Sequence, residues 1–180
     1  MREIKLEKVV LNIGGTAEKL DKGFILLKTI TGKQPVKVAA TKRIPNWGVR
    51  PGLEVGTKVT LRGKEAEDML KRLLPAINNT LKEKQIRENF VSFGIHEYIE
   101  IPGMEYLREV GIMGLEVTAV FERAGKRVER KKIKYGKTRR QVISAEEIRD
   151  ILVNKFNVKI KARRKKQDDS EWLEKSHKAA

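Results

Sequence analysis

The chain is predicted to be an α+β protein: a single antiparallel sheet of about five strands, with helices packed on one face and a long projecting loop. Three observations predict this. Apolar and polar residues alternate over short runs at 5–13, 36–40, 55–62, 90–95 and 115–123. Three other stretches, about 16–31, 65–84 and 145–156, carry apolar residues at helical spacing. The connection at 41–54 is far longer than the two to five residues usual in a hairpin. Helices that each bury one apolar stripe would cover one face of the sheet and leave the other open.

The first strand, 5–13, sets Val9, Leu11 and Ile13 on one face and Lys8, Val10 and Asn12 on the other. Asn12 either ends the strand by bonding local backbone or meets a polar partner such as RNA. Gly14-Gly15 follows, but a dinucleotide site needs a full G-x-G-x-x-G and a parallel crossover, and both are missing. The helix at 16–31 has Leu20, Phe24, Leu27 and Ile30 as its stripe, with Gly32 suited to its end. The strands at 36–40 and 55–62 flank the long loop. Pro45, Gly48, Pro51 and Gly52 stiffen and turn that loop, and Lys42, Arg43, Trp47 and Arg50 arm it. Folded back on itself it reaches roughly 20 Å at about 3.3 Å per residue. That content predicts a functional arm that grips an anion. Trp47 has two readings, a platform for a base or ribose and a plug at the arm's root.

The second helix, 65–84, opens with Glu65, Glu67 and Asp68 where the backbone dipole favours negative charge. Met69, Leu70, Leu73, Leu74, Ile77 and Leu81 form its stripe, and Pro75 is expected to kink it. After the strand at 90–95 comes an acidic loop region with Glu97, Glu100, Glu105 and Glu109. A magnesium-dependent nuclease using Glu97, Glu100 or Glu105 would need an aspartate or histidine cluster that is lacking. The expected role is an acidic surface, solvated or facing a basic protein. His96 and His177 assemble no triad or zinc site. Ala124-Gly125-Lys126 predicts a hairpin joining 115–123 to a strand at 127–133. Ser144 to Glu147 is a capping box opening the helix at 145–156, buried through Ile148, Ile151, Leu152 and Phe156. Residues 1–158 thus read as one α+β domain. Residues 159–180 read as a charged tail expected to be disordered alone, with Trp172 and Leu173 able to dock on a partner.

Net charge is +16 and the pI about 10.1, so a polyanion is the first partner to consider. The distribution is sharper than the total. Residues 36–62 hold six basic side chains and one acidic, and 123–140 hold ten and one, whereas 63–122 hold seven basic and eleven acidic. Two short segments therefore carry the charge, the footprint of phosphate contacts. The candidate face is Asn12, Lys58, Thr60 and Arg62 on the open side of the sheet, and Lys33 is a further candidate for a phosphate contact. The candidate basic run is Arg127, Arg130, Lys131, Lys132, Lys134, Arg139 and Arg140. With no cysteine, no signal-like amino terminus and no apolar run of membrane length, the expectation is a cytoplasmic protein. No cofactor, metal or membrane partner is expected.

Several segments resemble the large-subunit ribosomal protein five family in its archaeal and eukaryotic form. They are Val9-Val-Leu-Asn-Ile-Gly14, Thr31-Gly-x-x-Pro35, Lys58-Val-Thr-Leu-Arg-Gly63, Phe93-Gly-Ile95 and Ile101-Pro-Gly103, in the family's order across residues 1–158. The resemblance implies a non-catalytic protein that binds 5S ribosomal RNA on the central protuberance, beside large-subunit RNA and neighbouring ribosomal proteins. Asn12 and Thr60 match positions that contact 5S RNA. The arm, through Lys42, Arg43, Asn46, Trp47 and Arg50, would reach transfer RNA in the peptidyl site. The acidic loop would join a bridge to the head of the small subunit. The chain departs from the family's pattern at Gly14-Gly15, where an intervening hydrophobic residue is usual, and at Lys33, which precedes Gln34 where glutamine usually comes first. A free RNA chaperone or transfer-RNA-binding module is the alternative.

Overall fold

A computed structural model describes residues 3–138 and 141–161. Its centre is β1 (Ile4–Gly14), the longest strand, paired antiparallel on one side with β3 (Glu54–Arg62) and on the other with β7 (Leu115–Arg123). β2 (Val36–Ala39) adds to β3, β6 (Phe90–Ile95) adds to β7, and β5 (Ile86–Arg87) closes the far edge. The order β2-β3-β1-β7-β6-β5 makes six strands where about five were expected.

Because side chains alternate across a strand, each run commits one parity to the core. Val9, Leu11 and Ile13, with Val59, Leu61, Val91, Phe93, Ile95, Leu115, Val117, Ala119 and Phe121, are buried in one cluster. The helices α1 (Glu18–Thr31), α2 (Lys64–Leu73) and α3 (Ala145–Phe156) join that same cluster through residues such as Leu27, Leu70 and Leu152, so they share one face. Gly23 lets α1 lie close: a Cβ there would stand 2.9 Å from Ile13 Cγ2. Ser144 caps α3 as expected, its hydroxyl accepting from the Glu147 N–H while the Glu147 carboxylate accepts from the Ser144 N–H.

Two predicted elements differ. The second helix does not kink at Pro75 and run on to 84; it ends at Leu73. Pro75 brings no N–H to continue the ladder. Residues Pro75–Ile77 make a 3-10 turn, and Asn78 and Asn79 take positive φ of 55° and 49°. The chain then enters β4 (Thr80–Lys82). Leu74 and Leu81 stay buried, so the apolar stripe was core even where the helix was not. The hairpin strand at 127–133 does not form either. Both edges of β7 are already taken, by β1 and β6, and a further strand has nowhere to pair. Residues Lys126–Arg130 instead form a 3-10 segment. Past α3, β8 (Lys159–Lys161) pairs in parallel with β4. The predicted tail beyond residue 161 lies outside the described residues.

Candidate nucleic-acid interface

The parity opposite the core builds a polar surface. On it Asn12 stands directly opposite Lys58 of β3 and Glu116 of β7, Val10 opposite Thr60 and Thr118, and Lys8 opposite Arg62 and Val120. Ser92 completes the middle row beside Thr118, their hydroxyls 3.0 Å apart. Lys58, Thr60 and Arg62 are exposed and Asn12 is half-buried. The strand register therefore brings four of the predicted residues together. Lys58 makes no ion pair among the described residues. Arg62 does: its Nη1 donates to Glu7 Oε1 at 3.2 Å, and Glu7 stands at the irregularity between Leu6 and Lys8. Lys33 is not on this face. Its ammonium pairs with Glu65 at the start of α2, on the helical side of the sheet.

The arm is ordered as a narrow ladder. The Ala40 N–H donates to Leu53 O at 2.8 Å and the Gly52 N–H to Ala40 O at 2.9 Å. Nearer the tip, Ile44 and Val49 exchange backbone hydrogen bonds of 2.9 and 3.1 Å. Between them Pro45–Trp47 turn as a 3-10 segment that Gly48 ends at φ 65°, a conformation glycine adopts without penalty. Val49 is buried, while Lys42, Arg43, Asn46 and Arg50 are exposed. Trp47 is 77% exposed, which overturns its reading as a plug. Residues 41–53 contain no carboxylate, and among the described residues Lys42, Arg43 and Arg50 make no ion pair. Lys37, at the arm's root, points the other way. It meets Asp21 at 3.1 Å and Glu54 at 3.3 Å, and hydrogen bonding to Asp21, then to Glu54, raises its pKa.

In the basic run, Lys131, Lys132 and Lys134 are exposed. Glu129 holds the run together, accepting from the Thr138 N–H at 2.9 Å and from its hydroxyl. The backbone of Arg127 and Arg130 runs in the 3-10 segment, their side chains lie outside what is described, and Arg139 and Arg140 lie outside the described residues. The acidic loop is anchored by buried Tyr98, Ile101 and Val110, with the Tyr98 hydroxyl accepting from the Leu107 N–H at 2.8 Å. Arg72 of α2 donates to Pro102 O at 2.9 Å. Glu97, Glu100, Glu105 and Glu109 are exposed, and no three metal-ligating side chains converge among the described residues. Sequence reasoning set Lys8 on the face with Asn12 without naming it a candidate, and it did not join Ser92, Thr118 and Glu116 to that face. Their parity was the available signal, but only the strand order puts them beside Asn12.

This arrangement offers fixed hydrogen-bonding groups with long-stemmed cations at the margins. Two family models match: the model of ribosomal protein L5 over residues 1–50, and the model of that family's C-terminus over residues 54–171. The chain belongs to the ribosomal protein L5 family. Among similar proteins is the large ribosomal subunit protein uL5 of Nanoarchaeum equitans, 49% identical over 82% of this chain and 90% of that protein. The uL5 of Sulfurisphaera tokodaii is 43% identical over 89% and 93%, and that of Methanoregula boonei 37% identical over 89% and 100%. L5 proteins are structural, non-enzymatic proteins of the large ribosomal subunit. No helix of the described residues is long and apolar enough to cross a membrane.

Proposed function

We propose that this L5 protein binds 5S ribosomal RNA with the open face of its sheet, as part of the large subunit of the cytoplasmic ribosome. The observation that carries this is the uncovered row Asn12–Lys58 with Thr60 and Arg62, whose register is fixed by seven consecutive pairs between β1 and β3. Rigid polar groups set register on ribose and phosphate, while Lys131, Lys132 and Lys134 neutralise phosphates of 5S or neighbouring large-subunit RNA. The arm contacts transfer RNA in the peptidyl site through Lys42, Arg43, Asn46, Trp47 and Arg50. The acidic loop faces a basic protein of the small-subunit head, completing a bridge, and other proteins of the central protuberance pack alongside.

A chemical footprint of 5S RNA, with and without the purified protein, tests the first contact. Protection confined to one region, lost in Asn12→Ala/Thr60→Ala, is expected; no protection refutes it. Filter binding of the triple variant Lys42→Ala/Arg43→Ala/Arg50→Ala tests the division of labour. It should weaken transfer-RNA binding and spare 5S binding. Equal loss of both sinks the assignment.

A further inference from the structure

An open cleft of about 690 Å³ lies where the arm leans over the turn between β1 and α1. Ile44, Trp47 and Val49 give it an apolar wall from the arm, and Thr16, Lys19 and Lys42 give it polar groups. No carboxylate lines it. The indole of Trp47 is 77% exposed, so the fold itself draws little burial from the largest side chain in the arm. A tryptophan left in water beside two ammonium groups fits a flat aromatic ring attached to an anion.

We propose that this cleft binds one unstacked nucleotide of RNA, its base lying on Trp47 against Ile44 and Val49 and its phosphate toward Lys19 and Lys42. The proposal rests on the reading of the arm as an RNA contact and adds what that reading leaves open: the arm takes an extruded base as well as backbone charge. Phosphate contacts alone do not distinguish a paired strand from an unpaired one. A stacking site does, because a base inside a duplex has both faces covered.

The test uses the full chain carrying Trp172→Phe, so that Trp47 is the only indole. Two probes are compared: a blunt RNA duplex, and the same duplex with one unpaired nucleotide. The unpaired probe should quench Trp47 fluorescence and bind more tightly. Trp47→Ala should weaken its binding by about 5- to 150-fold, the range for one base stacked on an aromatic side chain, and leave the blunt duplex unchanged. Trp47→Phe should retain most of the preference. Equal quenching by both probes overturns the proposal, as does equal quenching by an acidic peptide. If Lys42→Ala/Arg43→Ala/Arg50→Ala weakens both probes while Trp47→Ala alters neither, the nucleotide site falls and the arm's RNA contact stands. If the triple variant alters neither probe, the arm reading itself fails.

Discussion

Lys37 and Lys58 lie on neighbouring strands, and removing either leaves the same net charge. The structure nevertheless gives them opposite roles. Lys58 pairs across the ladder with Val36 and Asn12 on the open face, exposed and without an ion pair among the described residues. Lys37 pairs with Thr57, on the helical side, and its ammonium is held by Asp21 and Glu54. If the open face receives RNA, Lys58→Ala removes one phosphate contact. The slope of log affinity against log salt then becomes shallower by about 0.7–0.9. Over a fourfold rise in salt, the unmodified protein should therefore lose about threefold more affinity than the variant. Lys37→Ala should leave the slope unchanged. Filter binding of labelled 5S RNA across a potassium chloride series reads both. Equal slope changes in the two variants would mean that net charge alone governs binding, and the facial assignment would be wrong.

Gly23→Ala should destabilise the fold despite the better helix propensity of alanine. The new Cβ meets the stiff, buried Ile13 at 2.9 Å; overpacking of about 1–3 kcal/mol against a propensity gain of about 1 leaves a net loss near 1 kcal/mol, read as a lower urea midpoint. Glu147 is held below the ordinary glutamate range by the Arg123 guanidinium at 2.5 Å and by the Ser144 backbone N–H. With its folded pKa depressed, its contribution is complete above the unfolded value and is lost as pH falls through the folded one. Urea melts of Glu147→Gln and the unmodified chain should therefore differ at neutral pH and converge in acid; a constant difference at all pH values refutes this.

Much of the fold was legible because strand parity and helix stripes are local properties. Val9, Leu11 and Ile13 announce a core face, and Ser144 with Glu147 announces a helix start, without reference to anything distant. The errors arose where a local pattern competed with a partner far along the chain. The turn after Arg123 forms, but β1 and β6 already flank β7, so no hairpin strand pairs with it. The stripe through Leu81 was real, yet β4 rather than a helix carries its last residue.

The candidate interface divides in the same way. Composition made a polyanion the first partner to consider, and the order of the residues placed most of the charge in two segments. Neither distinguished Lys58 from Lys37, or Lys33 from either, because charge on a sequence has no direction. Direction comes from register: pairing β1 with β3 and β7 sets Asn12, Lys58, Thr60 and Thr118 on one face, and Lys37, of opposite parity, meets Asp21. Likewise only the folded arm shows that Val49 is covered while Trp47 stands in solvent, since burial is decided by what the rest of the chain brings alongside.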